Sequence, residues 1–283
     1  MRNLGIAIIL ILILTTVVHY NLYNRNEARS SLFTQMLYLP SGKYLRPASF
    51  GYYGLLADFI YLWSIQYYSD PGFHPRIEYL KHTYDIITEL DPQFLDAYQT
   101  GALFMFYEGR NPKAGLQLLE KGLEKNPTEW IFPTDAGYYC LINLKDKEQA
   151  AKYFGIAAQV PGAPTLVKRT LANITFQKGD MLDSLELWQE VYDTAERPSI
   201  KQTAFQHVHD LRVLIDLDVL KKAIKLYSDQ HQQYPHNLEE LVSVKLVRDI
   251  PLDPEGNAYE YDPASGKVKY SKQLNIYRRY QEG

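Results

Sequence analysis

The sequence predicts a mostly α-helical protein, built as a solenoid of helix pairs with a small C-terminal part of helix and β-hairpin. Large side chains recur every 34 or 35 residues, each four residues after one position and three before another. Steps of four and three residues keep to one helical face, and a repeat of about 34 residues is typical of a helical solenoid. The repeated positions are Leu80, Tyr84 and Ile87; Gly115, Leu119 and Gly122; Ala150, Phe154 and Ala157; and Ser184, Trp188 and Val191.

Residues 1–24 predict a single membrane anchor. An apolar run extends from Leu4 to Val18, and aromatic residues continue to Tyr23. The run alone rises about 22 Å as a helix, and its margins extend it toward the ~30 Å hydrocarbon core. A cleaved signal peptide is the alternative interpretation, but no Ala-x-Ala cleavage site follows the run, so we favour an uncleaved signal-anchor. We expect a single-pass protein of the inner (cytoplasmic) membrane, with the bulk of the chain extracytoplasmic, on the periplasmic side.

We predict that residues 25–75 form an aromatic-rich helical lead-in to the repeats. The stretch from Phe50 to Tyr68 carries one charged residue, Asp58. Three interpretations are open: a packed helix that begins the solenoid, a Tyr-rich face exposed to a partner protein or membrane surface, and a second membrane span. The span is disfavoured, because Asp58 near its middle would cost about 2.5–3.5 kcal/mol. Tyr and Trp suit interfaces because they bury a large rigid area and keep a polar end.

Residues 76–200 carry the repeats. The segments GLQLLEKGLEKNP, beginning at Gly115, and AAKYFGIAA, beginning at Ala150, resemble the second helices of tetratricopeptide repeats. In that family each repeat is two antiparallel helices, with small and large residues in alternation along the second helix and a Pro that ends it. The resemblance implies that small residues let neighbouring helices approach while large ones fill the space between them. The expected repeat-packing positions are Gly115, Leu119, Gly122, Ala150, Phe154, Ala157, Ser184 and Trp188.

Residues 201–283 predict a helix from about Leu211 to His231, a short helix capped by Asn237 and a β-hairpin turning at 262–266. Together with the segment from Asp253 to Tyr261, DPEGNAYEY, this resembles the globular end of the major pseudopilins of type II secretion. The N-terminus lacks the prepilin cleavage pattern and its Glu, so the chain is not expected to polymerise as a pilin. The acidic calcium-binding loop of that family is also missing. We therefore interpret Asp253, Gly256 and Asn257 as a turn.

The remaining chemistry is sparse. A net charge of −3 and a pI near 6.2 argue against nucleic acid as a partner, because a basic face is expected for such binding. The chain has no HExxH, GxSxG or glycine-rich phosphate loop. His207 and His209 lie on nearly opposite faces of one helix, and we interpret them as solvated. Cys140, the sole thiol, predicts a buried small residue, with a reactive thiol as the alternative. We expect no catalytic residue, no metal and no cofactor.

The leading hypothesis is a membrane-anchored, extracytoplasmic scaffold for protein–protein interaction. Its partner would be another envelope protein or a peptide, in the assembly of a secretion, pilus or surface-polymer system. The alternative is a structural subunit of a filament or secretion complex that docks through the pseudopilin-like segment; an enzyme with an unrecognised site is a remote third. The candidate partner-binding residues are Tyr98, Phe104, Tyr107, Tyr138 and Tyr139.

Overall fold

A computed structural model of the protein describes residues 39–69 and 79–277, together with residues 13, 15–17 and 20. The predicted anchor therefore lies outside the described residues apart from those five. The described chain is mostly helical, as predicted. It divides into two compact units, residues 1–132 and 133–283, and this division falls within the predicted repeat stretch 76–200.

Consecutive helices pack on one another in the first unit. Helices α1 and α2 both contact α3, α3 contacts α4, and α4 contacts α5. Antiparallel neighbours joined by short connections are the ordinary outcome for amphipathic helices that each bury one stripe. These helices are α1 Gly42–Ala48, α2 Tyr53–Ser69, α3 Leu80–Leu90, α4 Leu95–Tyr107 and α5 Pro112–Lys125.

Local sequence explains where α5 begins. Pro112 occupies the first turn of α5, where its missing amide hydrogen costs nothing. Asn111 precedes it and accepts a hydrogen bond from the Ala114 amide at 3.1 Å, which caps the helix. The connection between α4 and α5 is thus specified by adjacent residues.

Two glycines let α4 approach its neighbours. A Cβ atom on Gly101 would lie 2.6 Å from the Tyr84 ring of α3 and from Leu118 of α5. A Cβ on Gly115 of α5 would lie 2.6 Å from the ring of Phe106. Real Cβ atoms do not tolerate such distances, so both positions require glycine unless the neighbouring rings move.

The second unit continues with helices and ends in a small hairpin. Helix α7 packs on α8, α8 on α9, and α9 on α10, which also contacts α11 and β2. The elements, of which α6 begins just before the division, are α6 Ile131–Tyr138, a π-helix Tyr139–Leu144, α7 Lys147–Gln159, α8 Thr165–Lys178, α9 Met181–Thr194, α10 Pro198–His231, α11 Glu239–Ser243, β1 Glu260–Asp262 and β2 Lys267–Lys269.

The π-helix holds the single cysteine. Cys140 is fully buried, as predicted. The π-helix ends at Lys145, whose backbone is left-handed with φ 58°, and Asp146 then caps α7 by accepting from the Gln149 amide at 2.9 Å. The wide turn and the cap together redirect the chain into α7.

The C-terminal elements share a core with the helices before them. Helix α10 begins at Pro198, well before the predicted start near Leu211, and is 34 residues long. One hydrophobic cluster joins α8, α9, α10 and the hairpin, from Ala172 to Tyr277. The core therefore continues across residue 200, where the sequence suggested the start of a separate appendage.

The hairpin follows the predicted turn chemistry. Strands β1 and β2 are antiparallel, with Tyr261 opposite Val268. Gly266 has φ 66°, the positive value expected of it. Asn237 accepts a hydrogen bond from the Glu240 amide at 3.1 Å and so caps α11 as predicted. Across the described residues, no helix combines the length and the apolar character that crossing a bilayer requires.

Candidate functional site

Tyr98 was expected to face a partner, and the structure corrects that expectation. Its side chain has an exposed fraction of 0%. The ring packs edge-on against Phe132 at 5.3 Å, and the hydroxyl donates to the Pro92 carbonyl at 3.1 Å. Burial raises the pKa of Tyr98 to about 12. Tyr98 is a core residue of the first unit, because its position on α4 faces α5.

The other four candidates differ in exposure. Phe104 is half-buried, with its ring 6.2 Å from the Tyr84 ring. Tyr138 and Tyr139 are half-buried in the second unit, where Tyr138 meets Phe154 edge-to-face at 4.9 Å. Tyr107 is 56% exposed. It is the one candidate whose ring is largely accessible to a partner.

Tyr107 has an apolar neighbour on the same face of α4. Leu103 precedes it by one helical turn and is also exposed. Residues four apart on a helix are surface neighbours, so the two side chains form a small apolar patch. We call this pair the α4 patch.

The repeat-packing positions are all buried. Ser184 donates a hydrogen bond to the Ala172 carbonyl at 2.8 Å and so joins α9 to α8. Trp188 stacks on His207 with 3.7 Å between ring centroids. The buried positions are Gly115, Leu119, Gly122, Ala150, Phe154, Ala157, Ser184 and Trp188.

A second apolar surface lies on α2. Four large residues at steps of three and four are exposed, one just before the helix and three within it, and Phe59 reaches 60%. The opposite face of α2 buries Ala57, Ile60, Ser64 and Tyr67. We call the exposed stripe the aromatic face, and it consists of Tyr52, Leu55, Phe59 and Leu62.

The second unit has a polar cluster along α10. Its members come from α10 and from the segment that follows α11, and they contact each other through hydrogen bonds. We call this cluster the polar seam; its residues are His207, His209, Asp210, Asp216, Glu255, Tyr259, Tyr270 and Tyr277.

His209 lies between two carboxylates in the polar seam. Its Nδ1 is 3.0 Å from an Asp210 oxygen, and its Nε2 is 2.9 Å from a Glu255 oxygen. The Tyr270 hydroxyl donates to Glu255 at 3.0 Å. Asp210 is fully buried, and its second oxygen accepts from the Ile276 amide at 2.6 Å. The seam thus ties the end of the described chain to the middle of α10.

These contacts shift the titration of His209 and its partners. Desolvation lowers the pKa of His209, but hydrogen bonds to Asp210 and Glu255 outweigh it, so the net pKa is raised. Desolvation on its own would raise the pKa of Glu255. The hydrogen bonds from His209 and Tyr270 outweigh this effect, so the pKa of Glu255 is lowered. Burial and the bond to Glu255 raise the pKa of Tyr270 to about 12. The arrangement favours a charged His209.

The pKa of His207 is shifted in the opposite direction from that of His209. It is buried against Trp188, and its Nδ1 is 2.7 Å from the Tyr277 hydroxyl. Desolvation lowers the pKa of His207 to about 4, with Arg169 adding to the effect and Asp210 opposing it. The prediction that both histidines are solvated is therefore wrong. The two lie on different faces of α10, as expected, but the C-terminal segment and α9 cover both faces.

A groove of about 400 Å³ opens beside His209. Arg212, Lys272 and Glu255 bring charge of both signs to it, and Gln206, Gln273 and Asn275 bring amides. Among the described residues that line this groove, none is Ser, Thr or Cys. In the part of the chain that the structure describes, no group of three or more His, Cys, Asp or Glu could hold a metal ion. The groove suits recognition through hydrogen bonds.

Glu255 is the residue that sequence reasoning missed. The turn around it was predicted, and Asp253 accepts from the Asn257 amide at 2.7 Å while Gly256 has φ 88°. That turn directs Glu255 toward His209, which lies 46 positions earlier. No local pattern links residues so far apart.

Comparison with known proteins adds no relative: no protein-family model matches the chain, and no curated protein matches it significantly.

Proposed function

We propose that the protein is a membrane-anchored, extracytoplasmic scaffold for protein–protein interaction, built from tetratricopeptide-like helical repeats that form a solenoid. Its partner is another envelope protein or a peptide, in the assembly of a secretion, pilus or surface-polymer system. The anchor is the apolar run from Leu4 to Val18.

One observation carries the proposal: the small residues that recur at 34 or 35 residues are buried where consecutive helices meet. Gly115 faces Phe106 of α4, and Ser184 bonds to the carbonyl of Ala172 in α8. Helix pairs that pack in chain order through small residues are what a helical repeat requires. Such repeats serve mainly as binding surfaces, because each pair leaves one side open.

Two surfaces can make the partner contacts. The α4 patch offers apolar area through Leu103 and Tyr107. The groove beside His209 offers charged and amide groups that can bond to a peptide backbone. Recognition through these surfaces needs no reaction chemistry.

The second candidate function is a structural subunit of a filament or secretion complex that docks through the pseudopilin-like segment. The observation that favours it is the composition of the groove, which takes much of its lining from residues 254–275. In this case the partner would contact the groove and leave the α4 patch free.

Site-specific photocrosslinking in native membranes tests both functions. A benzoyl-phenylalanine at Tyr107 reports on the α4 patch, one at Gln273 reports on the groove, and one at the exposed Leu226 of α10 is the control. Mass spectrometry identifies each adduct. A partner captured at Tyr107 supports the scaffold, and capture at Gln273 alone supports the structural subunit.

Adducts no more frequent at either position than at Leu226 would contradict both functions. Deleting the chain after Pro198 is a poorer test, because that deletion removes most of the hydrophobic cluster that α8 and α9 share.

A further inference from the structure

The aromatic face on α2 is an apolar feature that the proposed function leaves unused. Leu55, Phe59 and Leu62 are 54%, 60% and 58% exposed, and they lie in one stripe. Scattered apolar residues on a surface need no explanation, whereas a contiguous apolar stripe marks an interaction site.

The turn that leads into α2 adds a second observation. Phe50 is 91% exposed, and its backbone is left-handed with φ 52°. This conformation is rare for a bulky residue. The strained turn therefore holds the Phe50 ring out into solvent at the start of α2, next to the aromatic face.

The charges near this turn include two basic side chains, since Lys43 and Arg46 are exposed on α1. Asp58, exposed on α2 beside Phe59, is the one acidic residue in 39–69, and Glu89 of α3 accepts from the Lys43 amide at 3.2 Å. The Arg46 guanidinium lies 4.4 Å from the centre of the Tyr53 ring. Basic side chains beside exposed Tyr and Phe are the composition that binds an anionic lipid surface.

The position in the chain limits the distance to the bilayer. Only 23 residues separate Val18, the end of the apolar run, from Gly42, the start of α1. A chain of that length cannot span more than roughly 80 Å. If the run is anchored, α1 begins within that distance of the membrane, so α1 and α2 can reach the lipid surface.

We infer that the aromatic face, together with Phe50, lies in the headgroup region of the bilayer, with α2 parallel to the membrane plane. Tyr52 places its hydroxyl among the headgroups, while Leu55, Phe59 and Leu62 reach the upper acyl chains. The inference rests on the membrane attachment in the proposed function. It adds a second membrane contact, which orients the first unit relative to the lipid surface.

Spin labelling of the full chain tests this inference. The protein is reconstituted in vesicles of phosphatidylcholine and phosphatidylglycerol in equal amounts. Labels are placed through Phe59→Cys and Leu62→Cys in a Cys140→Ala background. The control is Leu182→Cys on α9, because Leu182 is 63% exposed and Leu62 is 58% exposed. Collision with oxygen and with a water-soluble nickel chelate then reports the depth of each label.

The expected result is a ratio of oxygen to nickel accessibility that is severalfold higher at residues 59 and 62 than at residue 182. Circular dichroism confirms that each variant keeps its helical content. Labelling at Tyr52→Cys gives an independent reading on the same face, with an intermediate depth expected.

Two outcomes would overturn the inference while leaving the anchor intact. Equal accessibility at residues 59, 62 and 182 in chains that float with the vesicles would place the aromatic face in water. Protection of residues 59 and 62 from both reagents would show that a second copy of the chain covers the face. If the chain does not float with the vesicles at all, the attachment itself fails, and this inference fails with it.

Discussion

Helix α2 in the first unit exposes Leu55, Phe59 and Leu62, whereas helix α10 in the second unit buries His207 and Asp210. Each helix departs from the ordinary distribution of side chains, and in opposite directions. Exposed apolar stripes and buried polar groups are the informative exceptions in a protein, because apolar burial and polar exposure are the default.

The difference separates two kinds of role. The buried polar groups of the second unit are bonded to each other and to backbone amides, so they hold α10 and the C-terminal segment in one arrangement. The aromatic face has apolar surface that folding leaves in contact with water. The polar seam thus serves internal structure, and the aromatic face is available for contact with something outside the chain.

The largest expected effect is on the polar seam. Asp210→Ala removes the acceptor of the Ile276 and Tyr277 amides and one partner of His209. Leaving these groups buried and unpaired should lower the free energy of unfolding by about 4 kcal/mol, measured by chemical denaturation. Asp218→Ala on the same helix is the control: Asp218 is partly exposed and pairs with Lys222, so a change of about 0.5 kcal/mol is expected. Equal losses would show that the seam is not structural.

The next largest effect is the pH dependence of stability that the buried His207 contributes, which differs from that of His209 in the same seam. The pKa of His207 is about 4 when folded, below its value near 6.5 when unfolded. The unfolded chain therefore binds more protons between these values, and stability is lost as pH falls through this window. Wild type should lose about 3 kcal/mol more than His207→Gln between pH 7 and pH 4.

His209 provides the control of opposite sign. Its pKa is raised on folding, so its contribution is complete below the unfolded value and is lost as pH rises through the folded value. His209→Gln should therefore remove stability at low pH and have less effect at high pH. Denaturation midpoints across the pH range measure both variants, and curves of the same sign would contradict the assignment.

A smaller effect on stability is expected at two glycines, one tightly packed and one with open space around it. Gly115→Ala in α5 places a Cβ against the Phe106 ring, and the resulting shift should cost about 2 kcal/mol. Gly155→Ala in α7 is the matched control, because a Cβ there meets no atom within 4 Å. That change should stabilise the protein by about 0.5–1 kcal/mol. Thermal unfolding of the two variants should shift in opposite directions.

The smallest effect is expected on the aromatic face. Leu62→Gln should change the free energy of unfolding in solution by less than about 0.5 kcal/mol, because the side chain is exposed. Ile60→Ala, on the buried face of the same helix, should cost about 3 kcal/mol. A large loss at Leu62 would show that the aromatic face serves the fold itself.

Sequence reasoning succeeded where a property is local. The helical class, the cap at Asn237, the turn around Gly256 and the burial of Cys140 all follow from a few neighbouring residues. It failed at Tyr98 and at the two histidines of α10, because periodicity shows which residues share a face and not what covers that face. A helix with apolar residues all round, such as α2, leaves the choice of buried face open.

The amino-acid sequence by itself determined the spacing of the small and large repeat residues, the caps at Asn111 and Asn237 and the chemistry of the turns, because each depends on steric and hydrogen-bonding preferences within a few residues. Only the tertiary structure decided that His209 lies between Asp210 and Glu255, that Tyr98 is core, and that α2 presents Phe59 outward. These outcomes depend on contacts between distant segments, and such contacts are set by the packing of whole helices.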